Sequence, residues 1–193
     1  MLKKIVLLLA LVCSFWVFAQ QRTAVVDMDK LFREYYKTKI VEANLRRQAD
    51  IYKEYALKLQ EDIKRLRQEF MELRDASLNM VLTEAARESK RLAARDKYTM
   101  LTAKESELQN YNREKQAQLR DDQEKQREKI LKDIQAVVRN QATLGGYNLV
   151  LDKKALSLSA LPVVVYSTSE ADITDAVLKE LNAGHRTNNK PGK

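Results

Sequence analysis

The sequence has few residues that interrupt helices. Only four glycines and two prolines occur among its 193 residues, and none of them lies between Gln20 and Leu144. Sandwiches, barrels and α/β enzymes need turn residues at short intervals, so these architectures are excluded for most of the chain. The shortage of glycine and proline therefore favours long helices.

Residues that carry catalysis or hold metals are equally scarce. The one histidine, His185, lies in a polar segment without a nearby cluster of cysteines or carboxylates, which argues against a metal or catalytic role. Asp27 and Asp29 could bind a cation, but they stand where a strand is expected to meet a helix, and helix capping is the simpler interpretation. Glycine-rich phosphate loops and nucleophile elbows are absent from the sequence. We therefore predict a protein that is not an enzyme and uses no metal or cofactor.

Residues 1–19 are predicted to be a signal peptide. Lys3 and Lys4 precede an apolar run that ends at Phe18 and is too short to span a bilayer. Cleavage after Ala19 would remove both lysines and the only cysteine, Cys13, and would lower the formal net charge from +8 to +6. The sequence thus predicts export to the periplasm without disulfides. A basic balance fits an acidic partner, and export makes nucleic acid the least suitable one.

Residues 41–141 are predicted to form an antiparallel helical hairpin. Apolar residues recur from Leu45 to Leu73 with spacings of four and three that alternate without a break, which is typical of a coiled-coil seam. The register is lost at residues 75–83, and Thr83 is a candidate N-cap for a second helix. We expect the hairpin tip there; one uninterrupted long helix is the alternative.

The returning helix is poorer in apolar residues than the outgoing one. Only five of the 28 residues from Thr102 to Lys129 are apolar, and Leu108, Leu119 and Ile130 follow one another at intervals of eleven. This spacing keeps a narrow stripe on a straight helix and buries little area per turn. We expect this arm to bend and open easily.

The two ends of the chain, residues 20–40 and 142–184, are predicted to form a small β-rich head. The strand candidates are residues 23–27, 147–152 and 162–166, followed by a helix at about residues 172–182. Residues 185–193 are expected to be a disordered tail. The fold class is therefore mainly α, with a long antiparallel coiled-coil hairpin projecting from a short-stranded oligomerisation body.

A head of this size is marginally stable by itself, and its open strand edges would invite aggregation unless another subunit covers them. Its apolar strand residues are therefore assigned either to the head core or to the oligomer interface. They are Val25, Leu149, Leu151, Val163 and Val165.

Several short motifs occur in a characteristic order. Ala24-Val25-Val26-Asp27 precedes Leu31-Phe32-x-x-Tyr35-Tyr36, and the breaker-free hairpin follows. After the hairpin come Gly146-Tyr147-Asn148-Leu149-Val150-Leu151-Asp152, Val163-Val164-Val165-Tyr166 and Asp172-Ile173-Thr174. This order resembles the Skp (OmpH) family of periplasmic chaperones over essentially all of the chain after residue 19.

The resemblance implies a homotrimer with a β-rich body and three tentacle-like helical hairpins around a cavity. It also implies a holdase function, in which unfolded outer-membrane β-barrel proteins are kept from aggregating without ATP. The tip departs from the best-known members because it is apolar. The candidate client-binding residues there are Leu78, Met80, Val81 and Leu82. The alternative is that these side chains pack beneath the hairpin turn.

Basic residues gather on the returning helix close to the tip. Either they are ordinary solvated charges or they bind an acidic client, an anionic lipid or lipopolysaccharide. These candidates are Arg87, Lys90, Arg91 and Arg95.

Two further function classes stay open at this point. A structural coiled-coil spacer of the cell envelope should have a well-packed seam in both helices, and the sparse returning helix argues against it. An anionic-lipid-binding module would fit the net charge of +6 that remains after removal of the signal peptide.

Overall fold

The computed structural model describes residues 22–188, so the expected signal peptide lies outside the described residues. The chain divides into two compact units. A strand unit contains the described residues up to Tyr36 and those from Leu131 onward, and a hairpin unit contains Lys37–Ile130.

The elements follow one another in the order β-α-α-α-β-α-α. They are β1 (Thr23–Val26), α1 (Met28–Glu34), α2 (Tyr36–Ser77), α3 (Glu84–Leu144), β2 (Leu149–Asp152), a 3-10 turn (Ser169–Ala171), α4 (Thr174–Leu181) and α5 (Ala183–Asn188). The mainly helical fold class with a long hairpin and a small strand pair is therefore confirmed.

The strand unit is built around β1, which is buried on both faces from Ala24 to Val26. It pairs with β2 in parallel, in the register Thr23 to Leu149 through Val26 to Asp152. On its other edge β1 meets the start of α4, where the Ile173 amide donates to the Val25 carbonyl at 3.0 Å. The central position of β1 explains why a strand of four residues can be stable: its backbone is paired on both sides.

Two polar side chains hydrogen-bond to the backbone at the two ends of α1. Asp27 caps α1, since its Oδ1 accepts from the Lys30 amide at 2.9 Å. Tyr35 is extended and separates α1 from α2. Asn182 spans this break, because its Oδ1 accepts from the Tyr36 amide at 2.9 Å and its Nδ2 donates to the Glu34 carbonyl at 3.1 Å. The predicted capping role of Asp27 is confirmed.

Glycine ends α3. Gly146 has a φ of 65°, the left-handed conformation that glycine adopts at little cost. The Tyr147 amide donates back to the Ala142 carbonyl at 2.9 Å, and the Gly146 amide donates to Thr143 at 3.2 Å. These are the two hydrogen bonds of a Schellman ending.

The structure differs from two expectations for the strand unit. Residues 162–166 do not form a strand; Pro162 makes only an isolated bridge to Leu156. The physical reason is that residues 155–163 close on themselves, with the Val163 amide donating to the Ala155 carbonyl at 2.9 Å. The segment is therefore held in a local turn and does not pair with the free edge of β2. The chain is also helical to Asn188, where a tail was expected from His185. The His185 ring stacks on Tyr36 with centroids 4.8 Å apart.

Candidate functional site

The hairpin turn is a tight, internally hydrogen-bonded segment between Ser77 and Glu84. The Asn79 side chain accepts from the Val81 amide at 3.0 Å, and the Asn79 carbonyl accepts from the Leu82 amide at 3.2 Å. Thr83 Oγ1 accepts from the Ala86 amide at 3.3 Å, which confirms Thr83 as the N-cap of α3. Four amides of the turn, those of residues 78, 79, 81 and 82, therefore find acceptors within the turn and the last residues of α2.

The apolar tip side chains project into solvent. Leu78 is 70% exposed, Met80 82% and Val81 91%, whereas Leu82 is half-buried. Packing beneath the turn, the alternative interpretation, therefore applies only to Leu82. Large apolar side chains grouped at this exposure are unusual on a surface without a partner.

The four basic candidates lie on the first turns of α3, and two of them form ion pairs with glutamates of the same helix. Arg87 pairs with Glu84, and Arg91 pairs with Glu88 at 2.6 Å. Lys90 and Arg95 are exposed, and within residues 22–188 neither forms an ion pair. Surface pairs within one helix hold their charges weakly, so all four cations still attract anions, with Lys90 and Arg95 the more available.

The seam of the hairpin unit follows the outgoing helix closely. All nine apolar positions from Leu45 to Leu73 are buried or half-buried. On the returning helix Leu108 and Leu119 are half-buried and Ile130 is 4% exposed. The stripe at intervals of eleven is therefore buried or half-buried at each of its three positions.

The hairpin seam is incomplete where α3 is polar. A cavity of about 500 Å³ lies between the helices. Its α2 side has three apolar and three polar residues, and its α3 side has only polar ones, Asp122 and Gln126. A stretch of seam with so few apolar side chains cannot close such a gap with dispersion contacts. The thin packing predicted for the returning helix is thus present as an open groove.

An aromatic cluster replaces aliphatic packing in the middle of the hairpin. Lys115 Nζ lies 5.2 Å from the ring centroid of Tyr52 and 5.8 Å from that of Tyr111. Tyr55 stacks at a tilt on Tyr111, at 4.7 Å between centroids, and its hydroxyl donates to Glu107 at 3.1 Å. This hydrogen bond raises the pKa of Tyr55. Sequence reasoning missed the cluster, although tyrosines at i and i+3 on α2 were a usable signal.

A second exposed apolar surface lies in the strand unit, in the segment that follows β2. We call residues 156–166 the apolar segment. Leu158 is fully exposed, and Val165 and Tyr166 are 90% and 82% exposed. Its other exposed apolar members are Leu156, Leu161 and Val163. The leucines were not singled out from the sequence, although apolar residues recur at positions 156, 158 and 161 and are continuous from 163 to 166.

Side-chain exposure divides the five strand residues that were assigned either to the head core or to the oligomer interface. Val25 is 3% exposed and Leu151 is half-buried, so both contribute to the interior of the strand unit. Leu149, Val163 and Val165 are 50%, 52% and 90% exposed, so they lie outside the core of a single chain. For these three the subunit interface stays a prediction.

A charged network joins the ends of β1 and β2 to α4. Lys153 Nζ donates to Asp172 at 2.7 Å and lies 3.9 Å from Asp27. Burial raises the pKa of Asp172, but hydrogen bonds from Lys153 and Thr174 outweigh it, and the pKa is lowered overall. The hydrogen bond to Asp172 raises the pKa of Lys153. This arrangement stabilises the fold and presents no open coordination site, because each carboxylate already accepts from protein donors.

The part of the chain that the structure describes contains no group of three or more His, Cys, Asp or Glu side chains placed to hold a metal ion. None of its helices is long and apolar enough to cross a membrane.

A known protein family matches most of the chain. The model of the family described as "Outer membrane protein (OmpH-like)" matches residues 22–181. No protein in the curated set matches the chain. The matched range takes in β1, the whole hairpin, the apolar segment and α4.

Proposed function

This chain belongs to the OmpH-like outer membrane protein family, and on that premise we propose that it is an ATP-independent holdase for unfolded outer-membrane β-barrel proteins. Membership of the family supports a periplasmic chaperone-type role. The finer proposal is that clients are held between the helical hairpins of a homotrimer. Export by a signal peptide cleaved after Ala19 is part of the same proposal.

The observation that carries the proposal is the exposure of the tip. Leu78, Met80 and Val81 offer three exposed apolar side chains on a hydrogen-bonded turn. Such a surface can contact many different apolar sequences without matching any of them, and Met is well suited to this because it is flexible and polarisable. Weak contacts from several subunits add up through multivalency, so no single tight site is needed.

The apolar segment supports the second part of the proposal, which is that the chain forms a homotrimer. It has six large exposed side chains next to β2, including Leu158, and permanent exposure of so many would cause aggregation. A second and third copy of the chain would cover it. The tip, with three exposed side chains, is small enough to stay uncovered between clients.

Client release follows from mass action. A β-barrel protein that inserts into a bilayer no longer exposes the apolar segments that the chaperone contacts, and the complex dissociates without nucleotide. Lys90 and Arg95 would add a salt-sensitive attraction to acidic clients or anionic lipid.

The test is an aggregation assay combined with light scattering. An unfolded outer-membrane β-barrel protein is diluted from urea with and without the chain from Gln20 onward, in the absence of nucleotide. We expect a trimer that keeps the client soluble in a discrete complex. A client that precipitates unaffected, beside an elongated dimer, would contradict the holdase proposal and favour the envelope spacer.

A matched pair of triple variants tests the tip. Serine at Leu78, Met80 and Val81 should weaken client capture about tenfold, since three apolar contacts are lost. Serine at Leu57, Leu92 and Met100, which are 48%, 54% and 55% exposed on the flanks of the helices, is the control. Equal losses in both variants would show that the tip has no special role.

The salt dependence of client capture distinguishes the holdase from an anionic-lipid-binding module. Capture that relies on apolar contacts should weaken at raised salt but persist, because salt screens only the contribution of the cations. Complete loss at moderate salt would favour a lipid-binding module.

A further inference from the structure

The sulfur of Met80 has an unusual partner at the exposed tip. Arg87 Nη1 donates to Met80 Sδ at 2.9 Å, while the methionine is 82% exposed. Met71 and Met100 are 46% and 55% exposed, and Met28 is half-buried. Among the methionines of residues 22–188, only Met80 accepts a hydrogen bond at sulfur.

The guanidinium that faces this sulfur is held in place. Arg87 is 20% exposed, its other terminal nitrogen pairs with Glu84, and its buried Nε has no hydrogen-bond partner. A thioether is a weak acceptor, whereas a guanidinium is a strong, charged donor. The Arg87 guanidinium is therefore a strong donor that faces a weak acceptor, the Met80 sulfur. It also has an unused N–H group at Nε.

We propose that Met80 is an oxidative modification site whose sulfoxide oxygen is bound by Arg87, and that this modification turns the apolar tip polar. The oxidant is a peroxide. A sulfur lone pair attacks one peroxide oxygen, the O–O bond breaks as the S–O bond forms, and the second oxygen leaves as water after proton transfer. Sulfur loses two electrons and peroxide gains them, and a thiol-dependent reductase can reverse the change.

The product fits the site better than the starting side chain does. A sulfoxide oxygen carries substantial negative charge, so it gives Arg87 the strong acceptor that the thioether lacks. The same change replaces the central apolar side chain of the tip with a polar one. The consequence for clients rests on the proposed holdase function, whereas the chemistry at Met80 and its capture by Arg87 do not.

The first experiment measures where oxidation occurs. The chain from Gln20 onward is titrated with hydrogen peroxide, and each methionine is followed by peptide mass spectrometry. Met80 should be oxidised first, ahead of Met100 and Met71. Oxidation of either of these at an equal or higher rate would overturn the assignment.

The second experiment tests Arg87 by hydrogen exchange of the turn amides at residues 78–83. Oxidation should slow their exchange about threefold to tenfold in the wild-type chain, because the sulfoxide ties the turn to α3. Arg87→Leu should abolish this slowing. Arg91→Leu, which removes the next arginine along the helix and also leaves a glutamate without its partner, should keep it. The same response to oxidation in all three chains would refute the role of Arg87.

The third experiment compares client capture before and after peroxide within each variant. Capture by the wild-type chain should fall about threefold or more, since one of three apolar contacts is lost. Capture by Met80→Leu should not respond to peroxide. If Met80 is oxidised and bound by Arg87 but capture is unchanged, the modification site stands and the proposed client contact at the tip is wrong.

Discussion

Removal of the Lys153 ammonium should loosen the strand unit locally. Lys153 is the shared cation of Asp172, at 2.7 Å, and Asp27, at 3.9 Å, and Asp27 is only 8% exposed. Hydrogen bonds to charged groups contribute about 1.5–3 kcal/mol when buried. The side chains of Lys153 and Asp172 are 30% and 27% exposed, so solvent screening lowers the expected cost of Lys153→Met to about 1–2 kcal/mol.

Two amides report this change directly. The Asp27 amide donates to Thr174 Oγ1 at 2.9 Å, and the Ile173 amide donates to the Val25 carbonyl at 3.0 Å. Their hydrogen exchange at pH 7 should become about 5- to 30-fold faster in Lys153→Met. Lys154→Met is the control, because Lys154 is exposed and only its backbone contributes to this turn. Unchanged exchange in Lys153→Met would refute the reasoning.

The stabilisation by the Lys153–Asp172 ion pair should be lost at both low and high pH. The lowered pKa of Asp172 means that its ion pair stabilises the fold above the unfolded pKa of about 3.9 and that this stabilisation is lost as pH falls through the lower folded pKa. The raised pKa of Lys153 means that its contribution is present below about 10.4 and is lost as pH rises through the higher folded pKa. Urea unfolding should therefore give a constant difference between wild type and Lys153→Met from about pH 5 to 9. A difference that persists undiminished at about pH 2 would contradict this.

Three other substitutions test the packing. Ile134→Ala, at a fully buried site, should lower the free energy of urea unfolding by about 2–5 kcal/mol; a loss below about 1 kcal/mol would contradict the burial. Lys115→Ala should speed hydrogen exchange around Tyr52 and Tyr111 by about threefold or more, since a cation–π contact is lost. Thr83→Ala should cost about 1 kcal/mol, measured as faster exchange in the first turn of α3; no change would refute the cap.

Local physical chemistry explains why the hairpin could be predicted. The absence of glycine and proline and the alternating apolar spacing from Leu45 specify helix over long stretches, because both act within a few residues of sequence. Thr83 and Gly146 mark helix ends by capping chemistry that is equally local. These features needed no knowledge of distant contacts.

The strand unit could be predicted only in outline. Residues 23–27 and 147–152 are apolar enough to indicate strands, but their parallel register joins positions about 126 residues apart. The segment at residues 162–166 is also apolar but forms no strand, because residues 155–163 close on themselves in a local turn. Composition indicates which segments can pair, and the hydrogen bonds of the complete fold decide which of them do.

The candidate site at the tip could likewise be predicted only in part. The sequence identified the apolar tip and the basic residues after it, since both are clusters along the chain. It did not show that Leu82 packs while Leu78 and Val81 point into solvent, nor that Arg87 donates to Met80. Side-chain exposure at a turn depends on backbone geometry that small changes in register alter.

By itself the sequence determined the helical class, the position of the hairpin turn, the helix caps and the thin packing of the returning arm, because helix formation and capping depend on neighbours within about one turn. Only the tertiary structure decided the register of β1 with β2, the tyrosine cluster around Lys115 and the charge network at Lys153. Each of these joins residues that lie far apart in the chain, and their pairing depends on how the complete fold satisfies its buried polar groups and apolar surface.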